Sequence, residues 1–305
     1  MDLKDKIEKL ALRSMKPSRY IGGEVGSVVK DKSKVDVRFA FCFPDTYEVG
    51  MSHLGMKILY GLKNARENFW CERVFAPDKD IPLYALESLD PVKEFDFIGF
   101  TMQYELSYTN VLNMLDLAGL EVKAADRKES DPIVVAGGPC VCNPEPLALF
   151  FDLFILGEGE EVNLELMDLY NDMKHQGKSK SEFLRAACHI EGIYVPEFYN
   201  VEYNSNGTIK SITSDGDAPM PIRKRIIKDF DKVYYPDYFV VPFTDIVHDR
   251  AVVEVLRGCI RGCRFCQAGM IYRPTRERDV EKLKKAARTM LQKTGHEEIS
   301  LSSLS

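Results

Sequence analysis

The sequence predicts an α/β protein whose main part is a doubly wound parallel sheet, followed by a β-hairpin connector and the start of a second α/β unit. Two observations support this prediction. From residue 35 onward, short apolar segments typical of buried strands alternate with stretches of helical periodicity, a pattern that favours a parallel sheet covered by helices on both faces. Beyond about residue 190 the alternation gives way to a hairpin pattern, a Pro-rich stretch and a new apolar run.

Composition narrows the class of protein. The chain has 305 residues, of which 45% are hydrophobic and 29% charged, as expected for a globular protein of about two domains. Its net charge of −6 argues against a broadly basic surface for nucleic acid. The N-terminus has no apolar signal region and no apolar run could span a bilayer, so we expect a cytoplasmic protein without a membrane partner.

The first 34 residues predict a helix and an edge strand. Leu3, Ile7 and Leu10 recur at helical spacing, and the helix should end before Pro17. The glycine-rich stretch Tyr20–Gly26 lacks the Gly-Lys-Ser/Thr ending of a phosphate-binding loop. We therefore interpret it as a turn and edge strand.

The alternating region supplies the elements of the parallel sheet. The predicted strands are Val35–Phe43, Trp70–Phe75, Phe95–Thr101, Ile133–Ala136 and Leu153–Leu156. The predicted helices are Ser52–Ala65, Ser107–Leu117 and Glu160–Met173, with another ending near Cys188. Ligands of such sheets bind at the carboxyl ends of the strands, which makes four loops candidate binding segments: Pro44–Gly50, Thr101–Glu105, Gly137–Cys142 and Gly157–Gly159.

The connector is predicted from turn and aromatic signals. Tyr194–Tyr203 and Thr208–Thr213 flank the turn Asn204–Gly207 and together predict a β-hairpin. Pro219–Pro242 is interpreted as an extended linker that packs through its aromatic side chains.

Three of the eight cysteines fall within eight positions, in Cys259-Ile-Arg-Gly-Cys263-Arg-Phe-Cys266. They follow the apolar run Ala251–Leu256, which predicts a buried strand. Thiolates select soft metals, so the loop is a candidate site for zinc or an iron–sulfur cluster. The other cysteines are scattered and are interpreted as reduced core residues: Cys42, Cys71, Cys140, Cys142 and Cys188.

Three alternatives remain for the loop. A structural zinc site requires a fourth ligand, which usually comes from a cysteine or histidine pair at fixed spacing. The sequence has no such pair nearby. A disulfide is disfavoured in a reducing cytosol. Three thiolates on a four-iron cluster would leave one iron open to another ligand.

The loop resembles the signature of the radical SAM superfamily, C-x-x-x-C-x-aromatic-C, with Cys259, Cys263, Phe265 and Cys266 at the matching positions. The resemblance implies that the three cysteines hold a 4Fe-4S cluster whose open iron binds S-adenosylmethionine. It also implies that Phe265 lies beside the adenine and that an electron donor is a partner.

The preceding domain resembles the Rossmann-like, cobalamin-binding domain found in many radical SAM proteins. Asp45-Thr-Tyr47-Glu-Val-Gly50 corresponds to the pattern D-x-H-x-x-G, and Gly137-Gly138 to a later Gly-Gly pair. The resemblance implies cobalamin as a candidate cofactor with Asp45, Tyr47, Gly50, Gly137 and Gly138 at its site. Tyr47 stands where the cobalt-ligating histidine would be, so that ligand is missing; His53 is interpreted as structural.

These motifs divide the chain into four segments: 1–34, the N-terminal helix and edge strand; 35–190, the Rossmann-like domain; 191–245, the hairpin and connector; and 246–305, the first part of a radical SAM (β/α) barrel. Only 39 residues follow Cys266 (305 minus 266), whereas a whole barrel takes roughly 200 residues or more. We therefore expect a fragment: a truncated gene product, an expressed piece of a longer protein, or one half of a split enzyme whose other chain supplies the rest of the barrel.

Six arginines surround the cysteine loop: Arg257, Arg261, Arg264, Arg273, Arg276 and Arg278. They either neutralise an anionic cluster or bind a phosphate or carboxylate of the substrate.

The resulting functional hypothesis is a segment of a radical SAM enzyme that cleaves S-adenosylmethionine and modifies RNA or protein, with methyl transfer as one candidate reaction. No catalytic acid or base is predicted. One alternative is a noncatalytic Rossmann-like module that binds a ligand or partner, with a vestigial or zinc-holding cysteine loop. A second alternative is an electron-transfer protein.

Overall fold

A six-stranded sheet forms the centre of the computed structural model, which describes residues 3–78 and 81–304. Its strands are β1 (Val37–Phe43), β2 (Phe69–Phe75), β3 (Phe97–Thr101), β4 (Ile133–Gly137), β5 (Leu153–Ile155) and β6 (Ile193–Tyr194). Their order is β2-β1-β3-β4-β5-β6; the first five are parallel, and β6 pairs antiparallel with β5. The predicted α/β fold with a doubly wound, Rossmann-like sheet is confirmed.

Helices cover both faces of this sheet. They are α1 (Leu3–Ala11), α2 (Tyr47–Ser52), α3 (Leu54–Asn64), α4 (Tyr108–Leu117), α5 (Gly159–His175) and α6 (Lys180–Ala187). The side chains of β1 alternate between two cores: Phe39 and Phe41 pack with α1, α3, α5 and α6, whereas Ala40 and Cys42 pack with α4. The continuous apolar sequence of β1 thus reflects burial on both faces.

The predicted helix Ser52–Ala65 is wrong at its start. Two helices occupy this region, separated by His53, which has an extended backbone and whose Nδ1 accepts a hydrogen bond from the Met56 N–H at 3.1 Å. Consequently the predicted loop Pro44–Gly50 is helical from Tyr47 onward. Histidine is not a usual N-cap residue, so this helix boundary has no recognisable signal in the sequence.

The N-terminal segment is only partly as predicted. Helix α1 ends before Pro17, as expected. The stretch Tyr20–Gly26 forms turns with an isolated bridge between Val25 and Val241 in place of an edge strand. Gly22, with φ of 59°, turns the chain where a Cβ would lie 2.1 Å from a backbone oxygen of Leu86.

The connector begins with the predicted hairpin, β7 (Tyr199–Tyr203) and β8 (Ile209–Ser214). The predicted first strand began too early, because Tyr194 belongs to β6 and the turn Pro196–Phe198 separates it from β7. Between β8 and β9, the described residues form an extended linker with isolated bridges, in agreement with the sequence.

A smaller α/β unit follows. It contains β9 (Ala251–Glu254), β10 (Leu256–Arg257), α7 (Ala268–Ile271), β11 (Arg276–Glu277), α8 (Val280–Thr294) and β12 (Ile299–Ser302). Strands β9 and β12 are parallel, and α8, which connects them, packs on β9 through Met290, which makes a β–α–β unit. The predicted strand Ala251–Leu256 is divided, because Leu256 pairs with Glu277 of β11. None of the helices in the described ranges is both long and apolar enough to cross a membrane.

Candidate functional site

The strand order of the central sheet creates a crevice. The chain passes from β1 to β2 on one side and then returns to place β3 on the other side of β1. Crevices at such switch points, beyond the carboxyl ends of the strands, are where doubly wound sheets bind ligands. The sheet therefore predicts a site near the ends of β1 and β3.

A cavity of about 350 Å³ lies at this position. Its lining includes apolar side chains from three strands of the sheet and from helix α3: Phe39, Phe41, Val135, Ile155, Ile58 and Leu59. The other side is formed by the connector, at Lys224 and Arg225, and by the smaller unit, at Arg257 and Tyr272. An apolar cavity of this size with a few polar groups at its edge is typical of a small-molecule or cofactor site.

Gly137 and Gly138, two of the predicted cobalamin-binding residues, border this cavity. Gly138 has φ of 104°, and a Cβ there would lie 2.6 Å from the backbone oxygen of Met102. The tight turn after β4 therefore requires glycine for steric reasons. It also brings the backbone to the edge of the cavity.

Asp45, Tyr47 and Gly50 lie away from the cavity lining. The Tyr47 hydroxyl donates to Glu24 at 2.9 Å, and its ring meets that of Phe75 edge-on. Asp45 accepts hydrogen bonds from the Thr46 N–H and from the Tyr104 hydroxyl. The structure thus separates the five predicted residues into two glycines at the cavity and three residues packed elsewhere.

Tyr47 is part of a buried ionic network. Arg73 lies between Glu24, at 2.8 Å, and Glu87, at 2.6 Å. Burial and the neighbouring Glu24 carboxylate raise the pKa of Tyr47 above its usual value. A neutral, hydrogen-bonded phenol directed at Glu24 is a structural group and is not placed to bind a ligand in the cavity.

His53 borders the cavity, which the sequence did not predict. Burial lowers the pKa of His53 to about 4, so the imidazole is neutral at pH 7. Its Nδ1 accepts the Met56 N–H, and the ring proton is therefore on Nε2. The Gln103 side chain is a further hydrogen-bond partner of the His53 ring, which has no free nitrogen lone pair for a metal. The only indication in the sequence that His53 could lie near a site is its position six residues after Tyr47.

The three-cysteine loop, residues 259–266, lies between β10 and α7. Cys259 and Cys266 are half-buried and Cys263 is exposed; all eight cysteines lie in the described ranges, and all are free thiols. Within those ranges, no three His, Cys, Asp or Glu side chains are grouped closely enough to hold a metal ion. The donor chemistry of the loop suits a soft metal, but its sulfurs are not gathered around one centre.

Phe265 and Cys142 are more exposed to solvent than packing in the core would require. Phe265 is 93% exposed, so core packing does not explain this aromatic residue. Cys142 is exposed and borders the cavity, which corrects its interpretation as a core residue, whereas Cys42, Cys71, Cys140 and Cys188 are buried.

Three of the six arginines around the loop form ion pairs with three glutamates. We call this set the junction cluster: Glu158, Glu160, Glu254, Arg257, Arg276 and Arg278. Arg257 is bound by Glu160 at 2.6 Å and by Glu254 at 2.9 Å. Burial alone would lower the pKa of Arg257, but these carboxylates raise it above its usual value.

Glu158 contributes the other half of the cluster. It pairs with Arg276 at 2.5 Å and with Arg257 at 3.2 Å. Burial would raise the pKa of Glu158, and the two guanidinium groups outweigh it and lower that pKa. Three members of the predicted arginine set are thus engaged by protein carboxylates, while Arg261, Arg264 and Arg273 are exposed.

The doubly wound sheet with a cavity at its switch point defines the class of protein as an α/β protein with a Rossmann-like sheet. The family model described as "Radical SAM proteins, N-terminal" matches residues 55–196. Over these residues the chain is therefore similar to the N-terminal domain family of radical SAM proteins.

Similar proteins give further context. An uncharacterized protein of Methanocaldococcus jannaschii is 30% identical over 248 residues, which cover 80% of this chain and 44% of that protein. Among solved structures, the radical S-adenosylmethionine methyltransferase TsrM from Kitasatospora setae, with cobalamin and [4Fe-4S] cluster bound, covers 87% of this chain and 47% of its own, at 11% identity and a TM-score of 0.48. TsrM with tryptophan substrate and a SAM analog bound gives a TM-score of 0.47 at 12% identity. The chain thus spans about half the length of these relatives, and the scores are too low to assign a function.

Proposed function

We propose that this chain is the cofactor-binding part of a radical SAM enzyme, in which the three-cysteine loop holds a 4Fe-4S cluster and the cavity holds a second cofactor. One observation carries the proposal: the cavity is bordered both by the carboxyl ends of the sheet and by Arg257 and Tyr272, which flank the cysteine loop. A ligand in the cavity would therefore lie next to the segment that bears the thiols. The family match to residues 55–196 supports the same assignment.

Cys259, Cys263 and Cys266 would be the cluster ligands. They are free thiols on a loop with one exposed and two half-buried members. Gly262, with φ of 64° and open space around it, gives the loop a point at which it can turn. With S-adenosylmethionine on its open iron, such a cluster supplies the electron that cleaves the sulfonium. Phe265 is exposed in the same loop and would contact the adenine.

Cobalamin is the candidate for the cavity, on the resemblance of the glycine motifs. Tyr47 is hydrogen-bonded to Glu24, and His53 carries its proton on Nε2. Neither residue is placed to ligate cobalt, so cobalamin would bind without a ligand from these two positions. His53 would border the occupant together with Gln103, its side-chain hydrogen-bond partner.

The substrate class, RNA or protein, and the reaction, methyl transfer, are proposals that rest on resemblance. So is one partner, an electron donor that reduces the cluster. The polar groups at the cavity edge would orient the second cofactor, and the apolar side chains behind it would exclude water.

Metal analysis tests the cluster assignment. After anaerobic reconstitution, we expect iron and sulfide in equal amounts at about four per chain, and we expect this content to be lost in Cys259→Ala, Cys263→Ala and Cys266→Ala. Cys142→Ala is the control, because this cysteine is also exposed but lies outside the loop. Bound zinc, or iron that survives loss of the loop cysteines, would contradict the assignment and favour the noncatalytic binding module.

A further inference from the structure

The junction cluster connects the central sheet to the cysteine loop. Glu158 and Glu160 belong to the segment Gly157-Glu-Gly-Glu160, which follows β5 and starts α5. Their carboxylates reach Arg257 on β10 and Arg276 on β11, and these two residues are paired in the antiparallel ladder. The two strands lead into and away from the region that contains the loop. A single segment of the sheet domain thus holds both of its ends.

The contact at Arg257 is close to the cysteines in sequence and in space. Arg257 is followed by Gly258, where a Cβ would lie 2.7 Å from the backbone oxygens of both Tyr272 and Pro274. This close packing leaves little room for movement between Arg257 and Cys259. A change in the position of the Arg257 guanidinium would therefore be transmitted to the start of the loop.

The segment is also attached to the connector. The Glu158 carboxylate accepts the Ile227 N–H at 2.6 Å, and Gly157 forms a bridge with Arg225. At Gly157 a Cβ would lie 2.2 Å from the Arg225 backbone oxygen. Glu158 therefore receives bonds from the connector and from both strands of the loop region.

Stabilisation of the contact between the sheet domain and the loop region does not by itself explain why these residues are charged. Side chains in the cluster are 5% to 13% exposed, and burying ion pairs costs desolvation energy that apolar residues of similar size would avoid. The ion pairs also fix the relative orientation of the segments that they join, because guanidinium and carboxylate groups form hydrogen bonds in defined geometries. Glu158 and Glu160 also line the cavity, so the same carboxylates border both sites.

We propose that Glu158 and Glu160 are positioning residues that fix the orientation of the three-cysteine loop relative to the cavity, acting through Arg257 and Arg276. The catalytic meaning of this inference rests on the proposed function, since it assumes that the loop carries the cluster. The positioning itself is a property of the folded chain and is measurable without any cofactor.

Hydrogen exchange of the whole chain tests the proposal. In Glu158→Gln and in Glu160→Gln we expect amides of residues 258–271 to exchange on the order of tenfold faster, because a charge-assisted bond that holds the loop region is lost. Amides of β3 and β4 should keep their rates. Glu165→Gln is the matched control: Glu165 lies on α5, as Glu160 does, and within the described ranges its ion pair is with Arg225 of the connector and not with an arginine of the loop strands.

A second readout separates positioning from general stability. In the reconstituted chain, Glu158→Gln should keep its iron content while the electron paramagnetic resonance signal of the cluster changes. Unchanged exchange in residues 258–271, or an equal increase throughout the sheet, would show that the carboxylates only stabilise the fold and would overturn the proposal. Absence of a cluster in the wild-type chain would instead refute the proposed function, and the exchange result would still decide the positioning role.

Discussion

Lys63 is fully buried on α3, and its Nζ has no hydrogen-bond partner in the described part of the chain. The ammonium lies 4.3 Å from the ring centroid of Phe39 and 4.8 Å from that of Phe41, so aromatic faces are its main polar contact. Burial lowers the pKa of Lys63 to about 8. A charge held in this way should reduce stability at neutral pH.

Replacement of Lys63 by methionine should therefore stabilise the protein. Because the pKa falls from 10.5 to about 8, Lys63→Met should raise the free energy of unfolding at pH 7 by up to about 3 kcal/mol. Between pH 8 and 10.5 the unfolded chain binds a proton that the folded chain does not, so wild-type stability should rise with pH. The advantage of the variant should disappear across this window.

Urea unfolding of both proteins at pH 7 and pH 10 measures this effect. Lys57→Met serves as a comparison for the effect of the aromatic surroundings. Burial also lowers the pKa of Lys57 to about 8, but its Nζ lies 4.8 Å from the centroid of the Phe239 ring and not between Phe39 and Phe41. A loss of stability in Lys63→Met at pH 7 would show that the ammonium has a favourable partner.

Individual residues were the hardest to predict from sequence. The spacing of Asp45, Tyr47 and Gly50 matched a cofactor motif, yet Tyr47 points to Glu24, 23 positions earlier in the chain. His53 was interpreted as structural and does cap α3, but it also borders the cavity. Side-chain direction depends on packing partners that are distant in sequence, and local spacing does not contain that information.

At the scale of the elements, the turn at Gly157 shows how one backbone position joins three segments. Its φ of 102° lies in the region that favours glycine, and it packs directly against the connector at Arg225. The central strands were predictable because each is a short apolar run between turn signals. The division of one predicted helix into α2 and α3 was not predictable, because it depends on an unusual histidine cap.

Gly157→Ala should be more damaging than the same change at Gly177. Both glycines have positive φ, but a Cβ at Gly177 has nothing within 4 Å, whereas at Gly157 it would lie 2.2 Å from a backbone oxygen. We expect Gly177→Ala to cost about 1 kcal/mol of stability from the strained backbone. Gly157→Ala should cost roughly 2 kcal/mol more, because the connector must shift.

Thermal and urea unfolding of the two variants would measure this difference. Hydrogen exchange should also increase in residues 222–228 only in Gly157→Ala. Equal costs for the two substitutions would mean that the connector moves away from Gly157 with little loss of energy.

At the scale of the whole molecule, the order of the units along the chain was predictable, but their contacts were not. The sequence predicted a doubly wound sheet, a hairpin, an extended linker and a cysteine loop after a strand, and each is present. The cavity is lined by residues of both the sheet and the smaller unit. The ion pair of Glu158 with Arg276 likewise connects residues more than 100 positions apart in the sequence. Such pairs form only in the tertiary structure. An arginine-rich segment in the sequence does not indicate which glutamates its arginines will bind.

Arg257 and Tyr272 flank the cysteine loop and border the cavity, and the proposed function makes the loop and the cavity parts of one radical SAM site. Electron paramagnetic resonance of the anaerobically reconstituted and reduced chain, with and without S-adenosylmethionine and beside the Cys259/Cys263/Cys266→Ala variant, tests this proposal. We predict a four-iron signal that requires the three cysteines and shifts when S-adenosylmethionine is added, because one iron is open to it. A signal that S-adenosylmethionine leaves unchanged, or zinc in place of iron, would contradict the proposal.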